Sequence, residues 1–293
     1  MLKFSQVLQP HQMGLGIKDS CHMLVMAVKL LLDADDESET VCVKMDFKNA
    51  YGSVKREAIR ASLEKHDQVK FLLPWFDAMY GGPNIHTVHG DDGEVRTISQ
   101  IDGIMQGDPL GVLWFSLAIK DAMESTRASY PSVFIRAYID DPVLVGKDPD
   151  VYCAYNMFVQ EAEKVGLIPN QDKQMILTHG DFGKLEELEA KIKVNEHGLG
   201  TMKDRVDERG TLLGVALGTE GDIREAVLAA ANELVAHLHL VNQLADAQAQ
   251  VLLLRYCFST CLNHWAKVTK PSLMKEAWTV FGSEIEKPIE KMT

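Results

Sequence analysis

The chain has 293 residues, 46% hydrophobic and 25% charged, the balance of a globular protein with a real core rather than of a disordered or fibrous chain. Its longest apolar stretch, Met23 to Leu32, is broken by Lys29 and too short to span a bilayer. The N-terminus lacks a signal-peptide core, so no membrane and an intracellular setting are expected, nucleus and cytoplasm being undistinguished. The net charge of −12 argues against a broad phosphate-gripping face, because nucleic-acid binders usually carry a basic footprint.

The stretch up to about Gly16 has little periodicity and reads as an extended lead-in. Apolar residues then recur at helical spacing from Ile17 to Leu32. The following DADDESE lacks the glycine and distal glutamate of an EF-hand and reads as a solvated turn. Val41 to Phe47 is a strand candidate whose period-two parity puts Cys42, Lys44 and Asp46 on one face. Helices are expected over Lys55–His66 and Val69–Tyr80, and a hairpin pairs His86–Val88 with Val95–Ser99 around GDDG. Leu110–Arg127 is a long helix, with Pro109 where a first turn tolerates it. A second hairpin, Val133–Ile139 with Val143–Val145, carries Asp140–Asp141 at its tip. Then come a helix over Val151–Val165, short strands over Met175–Leu177 and Leu212–Leu217, and from about Asp222 long helices alone. Mixed strands and helices followed by helices predict an α+β domain with a helical appendage.

The acidic residues carry the chemistry. Asp46 and the pair Asp140–Asp141 each follow an apolar, β-branched run. Three carboxylates so placed suit a pair of divalent ions, which, roughly 3.5–4 Å apart, clamp both oxygens of an in-line phosphoryl transfer. That constellation points to a nucleotide polymerase. A strand-end turn Asp and a solvent-facing hairpin tip are the plainer readings of the same residues. Adjacent aspartates repel, and an apolar hairpin holds them cheaply only with a compensating cation or hydrogen bonds. Pro142, directly after the pair, fixes φ and removes a backbone donor.

The segments DFKNAYGSV, QGDPLGVLWFSLAI, AYIDDPVLVG and GLIPNQDKQMIL stand in the order of the palm motifs of reverse transcriptases. They resemble most the non-LTR retrotransposon type, as do HQMGLGIKDSCHMLVMAV, LLGVALG and QVLLLRYCFSTCLNHWAK. The resemblance implies a polymerase palm, a ferredoxin-like antiparallel sheet with helices, followed by an all-helical thumb-like region. Residues 1–220 would be partial fingers and palm, and 221–293 the thumb-like part. It implies Asp46 and the Phe47 backbone carbonyl as ligands of two Mg²⁺ or Mn²⁺ ions, with Asp140 the main partner from the hairpin and Asp141 beside it. Tyr51 resembles the aromatic gate under the incoming sugar, although a core aromatic reads equally well there. Gln106–Gly107 resembles the segment that positions template and nucleotide, and Lys173 the lysine near the leaving pyrophosphate. Arg255, His264, Lys267 and Lys270 lie on or beside helices that resemble a thumb, where phosphate contact is one reading and a solvated helix face the plainer one.

The implied activity is RNA-directed DNA synthesis, with an RNA or DNA template-primer and dNTP as partners. The resemblance begins without a basic fingers segment, and neither an endonuclease nor a zinc knuckle is present. A fragment of a retroelement polyprotein is therefore expected, its remaining segments being further partners. The alternative is a catalytically inactive relic that binds nucleic acid or protein. A nucleotide cyclase is a third reading of the palm, but it leaves the QGDPLG segment without a role.

Overall fold

The computed structural model describes residues 4–34, 40–147, 150–170, 173–178, 206–207 and 210–292. Most of the DADDESE turn, residues 35–39, lies outside them. The chain divides into two compact units, Met1–Leu24 with Leu31–Val206, and Val25–Leu30 with Asp207–Thr293. Among the described residues no helix is long and apolar enough to cross a membrane.

The first unit is built on a five-stranded sheet. Its strands are β1 (Thr40–Lys44), β4 (Phe134–Tyr138), β5 (Asp141–Lys147), β6 (Met175–Thr178) and β7 (Val206–Asp207), in the order β4-β5-β1-β6-β7. β1 is antiparallel to both β5 and β6, and β4 to β5. β1, the β4–β5 hairpin and β6 are linked through helices, which gives the split βαβ pattern of ferredoxin-like sheets. Two of those helices, α7 (Gly111–Ser129) and α8 (Asp150–Lys164), pack on the sheet and on each other. Trp114, Phe115, Tyr152, Tyr155 and Phe158 fill the space between, all nearly inaccessible to solvent. The expected α+β palm architecture is the one observed.

Shorter helices complete this unit: α1 (Phe4–Leu8), the ends of α2 (Ser20–Asp33), whose residues Val25–Leu30 belong to the second unit, α3 (Ala50–Ser53), α4 (Arg56–Lys65), α5 (Asp67–Lys70) and α6 (Leu73–Tyr80). α1 corrects the expectation of an extended lead-in. Its single turn and a half is too short for periodicity to reveal, and burial of Val7 and Leu8 in the core holds it. The helix expected over Val69–Tyr80 is broken at Phe71–Leu72, ahead of Pro74 in the first turn of α6.

A separate two-stranded arm, β2 (Asn84–His89) and β3 (Val95–Gln100), is the predicted hairpin with its first strand longer by three residues and its second by one. Its base is tied by Arg56, a residue only 6% exposed. The guanidinium donates to Gly82 O at 2.7 Å, to Gly103 O at 2.8 Å and to Asn84 Oδ1, and lies over the Tyr80 ring. Carbonyls arranged this way replace the water a buried cation loses.

In the second unit β8 (Gly210–Leu212) and β9 (Val215–Leu217) form a hairpin where one strand was expected. Leu213 and Gly214 both take positive φ, the two-residue turn that matches strand twist. α9 (Glu220–Val241) opens with a capping box between Thr219 and Asp222. It packs along α12 (Pro271–Met292), with Val227, Ala231, Leu238, Met274, Ala277 and Phe281 between them. The helix expected between these two is interrupted. α10 (Ala247–Leu253) runs into a π-helical turn, Leu254–Phe258, and then a short α11 (Asn263–Ala266).

α7 begins on a polar anchor. Asp108 accepts from Leu110 N at 2.8 Å, from Trp114 Nε1 at 3.0 Å and from Tyr80 Oη at 2.5 Å. It therefore fixes the turn that leads into α7 and ties α6 to α7. Asp108→Ala would strand a tyrosine hydroxyl, an indole N–H and a helix-start amide. We expect a loss of about 3 kcal/mol in folding stability, read by urea denaturation.

Candidate active site

β1 and β5 share a register that pairs Lys44 with Val143, and the Met45 amide donates to Pro142 O at 3.0 Å. Pro142 has no N–H to return the bond, so the ladder ends there. Continued one step, the register sets Asp46 opposite Asp141. Past this point the chain changes partner. Asn170 N donates to Asp46 O at 2.8 Å and Lys48 N to Ile168 O at 2.9 Å, with Phe47 facing Pro169 as an isolated bridge. In such an antiparallel arrangement the bridged residue turns its own amide groups away from the partner segment. The Phe47 carbonyl is thus not consumed by residues 168–170, while its ring is buried near Phe158.

Asp140 lies in the two-residue turn Ile139–Asp140, and Asp141 is the first residue of β5, opposite Tyr138. Both are partly buried. Burial is the main cause that lifts the Asp140 carboxyl above its usual range. A backbone hydrogen bond lowers it, the Asp46 charge raises it and Lys173 lowers it again. Asp141 is raised by burial first, then by Asp140 and Asp46, against the pull of Lys44 and Lys173. Three carboxylates from two distant segments therefore feel one another at one end of the sheet.

Asp46 is held from a third segment. Asn170 Nδ2 donates to its Oδ2 at 3.0 Å, and Lys173 Nζ stands 3.7 Å from the same oxygen. Lys173 is 69% exposed at its side chain, so this ion pair contributes little to stability.

Tyr51, on α3, stacks on Phe115 of α7 with ring centroids 5.4 Å apart and planes 14° off parallel. Its carbonyl accepts from Ile104 N at 2.8 Å. Burial, and then the charge of Asp140, push its hydroxyl up to about 12, so the phenol stays neutral near the aspartates. Gln106 and Gly107 are exposed on the loop that follows Ile104. Gly107 takes φ 92° and has open space where a side chain would begin, so a ligand can approach its backbone closely.

The fold thus brings Asp46, Asp140, Asp141, Tyr51 and Lys173 into one electrostatic neighbourhood and joins the Gln106–Gly107 loop to it through the Ile104–Tyr51 bond. Asn170, which bonds the Asp46 carboxylate, is a neighbour of the site that sequence reasoning missed. Asn170 had a signal, standing within the GLIPNQDK segment. The late basic residues are otherwise engaged in part. His264 Nε2 bonds Leu213 O at 2.9 Å, Lys270 pairs with Glu220 at 2.6 Å, and the Arg255 guanidinium lies over the Tyr256 ring.

The donor set is hard oxygen, which suits Mg²⁺ or Mn²⁺. Among the described residues, however, no three acidic, His or Cys groups converge as a finished cation cage.

The profile of the reverse transcriptase (RNA-dependent DNA polymerase) family matches residues 1–217, most of the chain. This chain belongs to that family. No curated protein matches it. Similar solved structures include apo telomerase from Candida tropicalis truncated from its C-terminal domain, at 11% identity and TM-score 0.50 over 74% of this chain and 42% of that one. Telomerase from Candida albicans in complex with a TWJ fragment of telomeric RNA gives 12% identity and TM-score 0.51, over 97% of this chain and 50% of that one. Telomerase from Candida tropicalis with the same kind of fragment gives 10% and 0.51, over 100% and 46%. Likeness at such identity speaks for the fold. The chain spans half or less of the length of these telomerases.

A carboxyl whose folded pKa is raised costs stability wherever it is ionised. That cost fades as pH falls through the raised value and is gone below the ordinary range near ~4. Asp140→Asn should therefore raise the melting temperature in metal-free buffer at pH 7, with the gain shrinking toward acid pH. Differential scanning calorimetry at several pH values checks both statements.

Proposed function

We propose that this chain is the polymerising core of a reverse transcriptase, joining a deoxynucleotide from dNTP to a primer 3′ end on an RNA or DNA template. The observation that supports this best is the meeting of Asp46 with Asp140–Asp141 at one end of paired strands. Asp46, Asp140, Asp141 and the Phe47 carbonyl would hold two Mg²⁺ or Mn²⁺ ions. Bound there, such ions neutralise triphosphate charge and acidify the attacking hydroxyl. Asn170 orients Asp46, and Lys173 is the cation placed to meet the leaving pyrophosphate. Tyr51, fixed by its stack on Phe115, forms a wall against the sugar 2′ position. Gln106 and Gly107 offer exposed backbone to template and nucleotide.

Within the family we propose the non-LTR retrotransposon type, on the strength of the segments HQMGLG, QGDPLG and GLIPNQDK. Residues 1–220 would hold the palm and part of the fingers, and 221–293 the thumb. The rest of a larger retroelement protein would supply the basic fingers surface that a chain of net charge −12 does not itself offer broadly. The rival reading is an inactive relic that binds nucleic acid or protein.

Primer extension by the purified protein on RNA and DNA templates, with Mg²⁺ or Mn²⁺, decides between them. Template-dependent extension is expected. Asp140→Asn should reduce it on the order of a thousandfold, since one ligand of such a site supplies several kcal/mol of transition-state stabilisation. Template binding without extension under any metal would establish the relic instead. Tyr51→Ala should raise incorporation of ribonucleotides relative to deoxynucleotides by at least about tenfold, measured by competition of the two triphosphates.

A further inference from the structure

The turn that carries Asp140 is held from outside the hairpin. Ile139 takes φ 60°, a left-handed conformation that a β-branched residue adopts only under constraint. The constraint is visible. Gln12, only 2% exposed, uses its side-chain amide on both backbone groups of Ile139. Its Oε1 accepts from Ile139 N at 2.7 Å, and its Nε2 donates to Ile139 O at 3.0 Å. The same Oε1 accepts from Gly14 N at 3.2 Å, which fixes the amide in its own loop.

The loop itself is docked as an extra parallel rung on the outer edge of β4. Ala137 N donates to His11 O and Met13 N to Ala137 O, both at 2.8 Å. Gly14 completes the fit. A Cβ there would stand 2.4 Å from Ile139 Cγ1 and 2.9 Å from Ile139 N, so only glycine lets the loop close on the turn. A residue with one donor and one acceptor in a rigid plane matches the strained peptide as a neighbouring strand would. Neither a carboxylate nor an aliphatic chain does so.

We propose that Gln12 is a positioning residue: by holding Ile139 at positive φ it sets the direction in which the next residue, Asp140, presents its carboxylate to a divalent cation. The inference rests on the reading that Asp140 holds that cation. It assigns the HQMG segment a mechanical part in the reaction through Gln12, which is itself buried. Outer groups that orient a metal ligand typically weigh ten- to a hundredfold in metal affinity.

The test uses the whole chain with Mn²⁺ as probe, binding read by electron paramagnetic resonance. Ile139 amide exchange, read by NMR, provides a second readout that needs no metal. Gln12→Ala and the milder Gln12→Glu, which loses the donor to Ile139 O, should weaken Mn²⁺ binding ten- to a hundredfold, and Gln12→Ala, which also loses the acceptor for Ile139 N, should speed Ile139 amide exchange. Adding Ile139→Gly, which relieves the positive-φ strain, should restore most of the affinity to Gln12→Ala. If Gln12→Ala does not fold, Gln12→Glu with and without Ile139→Gly gives the same comparison. Asp140→Asn separates the two layers: unchanged Mn²⁺ binding in that variant overturns the assignment of Asp140, and with it this role for Gln12. Loss of binding in Asp140→Asn together with unchanged binding in both Gln12 variants overturns the positioning role alone. So does unchanged Ile139 exchange in Gln12→Ala, or a failure of Ile139→Gly to restore binding.

Discussion

The hydrogen bond from Met45 N to Pro142 O is the last rung between β1 and β5, and the site depends on its being last. β1 is paired on both sides along its length, so its residues have no freedom until a partner fails to answer. Pro142 accepts and cannot donate, and the chain is released one residue before Asp46. The released segment is taken up by residues 168–170, which bond the Asp46 carbonyl and its carboxylate together. A proline inside a sheet is ordinarily a defect. Here it marks where backbone pairing gives way to side chains that can face a ligand.

Gathering carboxylates at such a point is unfavourable without a cation. Burial and repulsion between the carboxylates raise Asp140 and Asp141, against a backbone hydrogen bond at Asp140 and the charges of Lys44 and Lys173, while Asn170 holds Asp46. Ile139, held at positive φ beside them, adds backbone strain of about 1–3 kcal/mol. The large aromatic core between α7 and α8 offsets these costs. Local rules are broken where chemistry is expected and kept elsewhere, as in proteins whose stability is spent at functional sites.

The elements legible in sequence were those whose pattern is local. The β4–β5 hairpin announces itself by β-branched runs on either side of a short acidic turn. The apolar period of α7 and α8 is long enough to be unambiguous. What escaped was set by tertiary contact. α1 has too few turns to show a period. The Leu213–Gly214 turn is apolar, so β8 and β9 read as one strand. The π-helical turn at Leu254–Phe258 leaves the spacing of apolar residues nearly unchanged, and an unbroken helix was expected there. Of the site, the three aspartates were readable because their acidity contrasts with the apolar strands before them. Asn170 and Gln12 escaped, since an amide side chain discloses its role only through the group it meets, a carboxylate for Asn170 and a backbone peptide for Gln12.

Arg56 has a consequence for how the molecule tolerates change. One guanidinium binds Gly82 and Asn84 where the chain leaves for the β2–β3 arm and Gly103 where it returns. Both ends of the detour are stitched to α4, so the return path toward Met105 and Asp108 is fixed whatever lies between. The arm is in this sense an appendage with its own hem: both faces of its ribbon are open, and Ile85, Val88, Val95 and Ile98 are each exposed. Its length and surface can drift, or receive a foreign epitope at the Gly90–Gly93 tip, without pulling on the sheet that bears the aspartates.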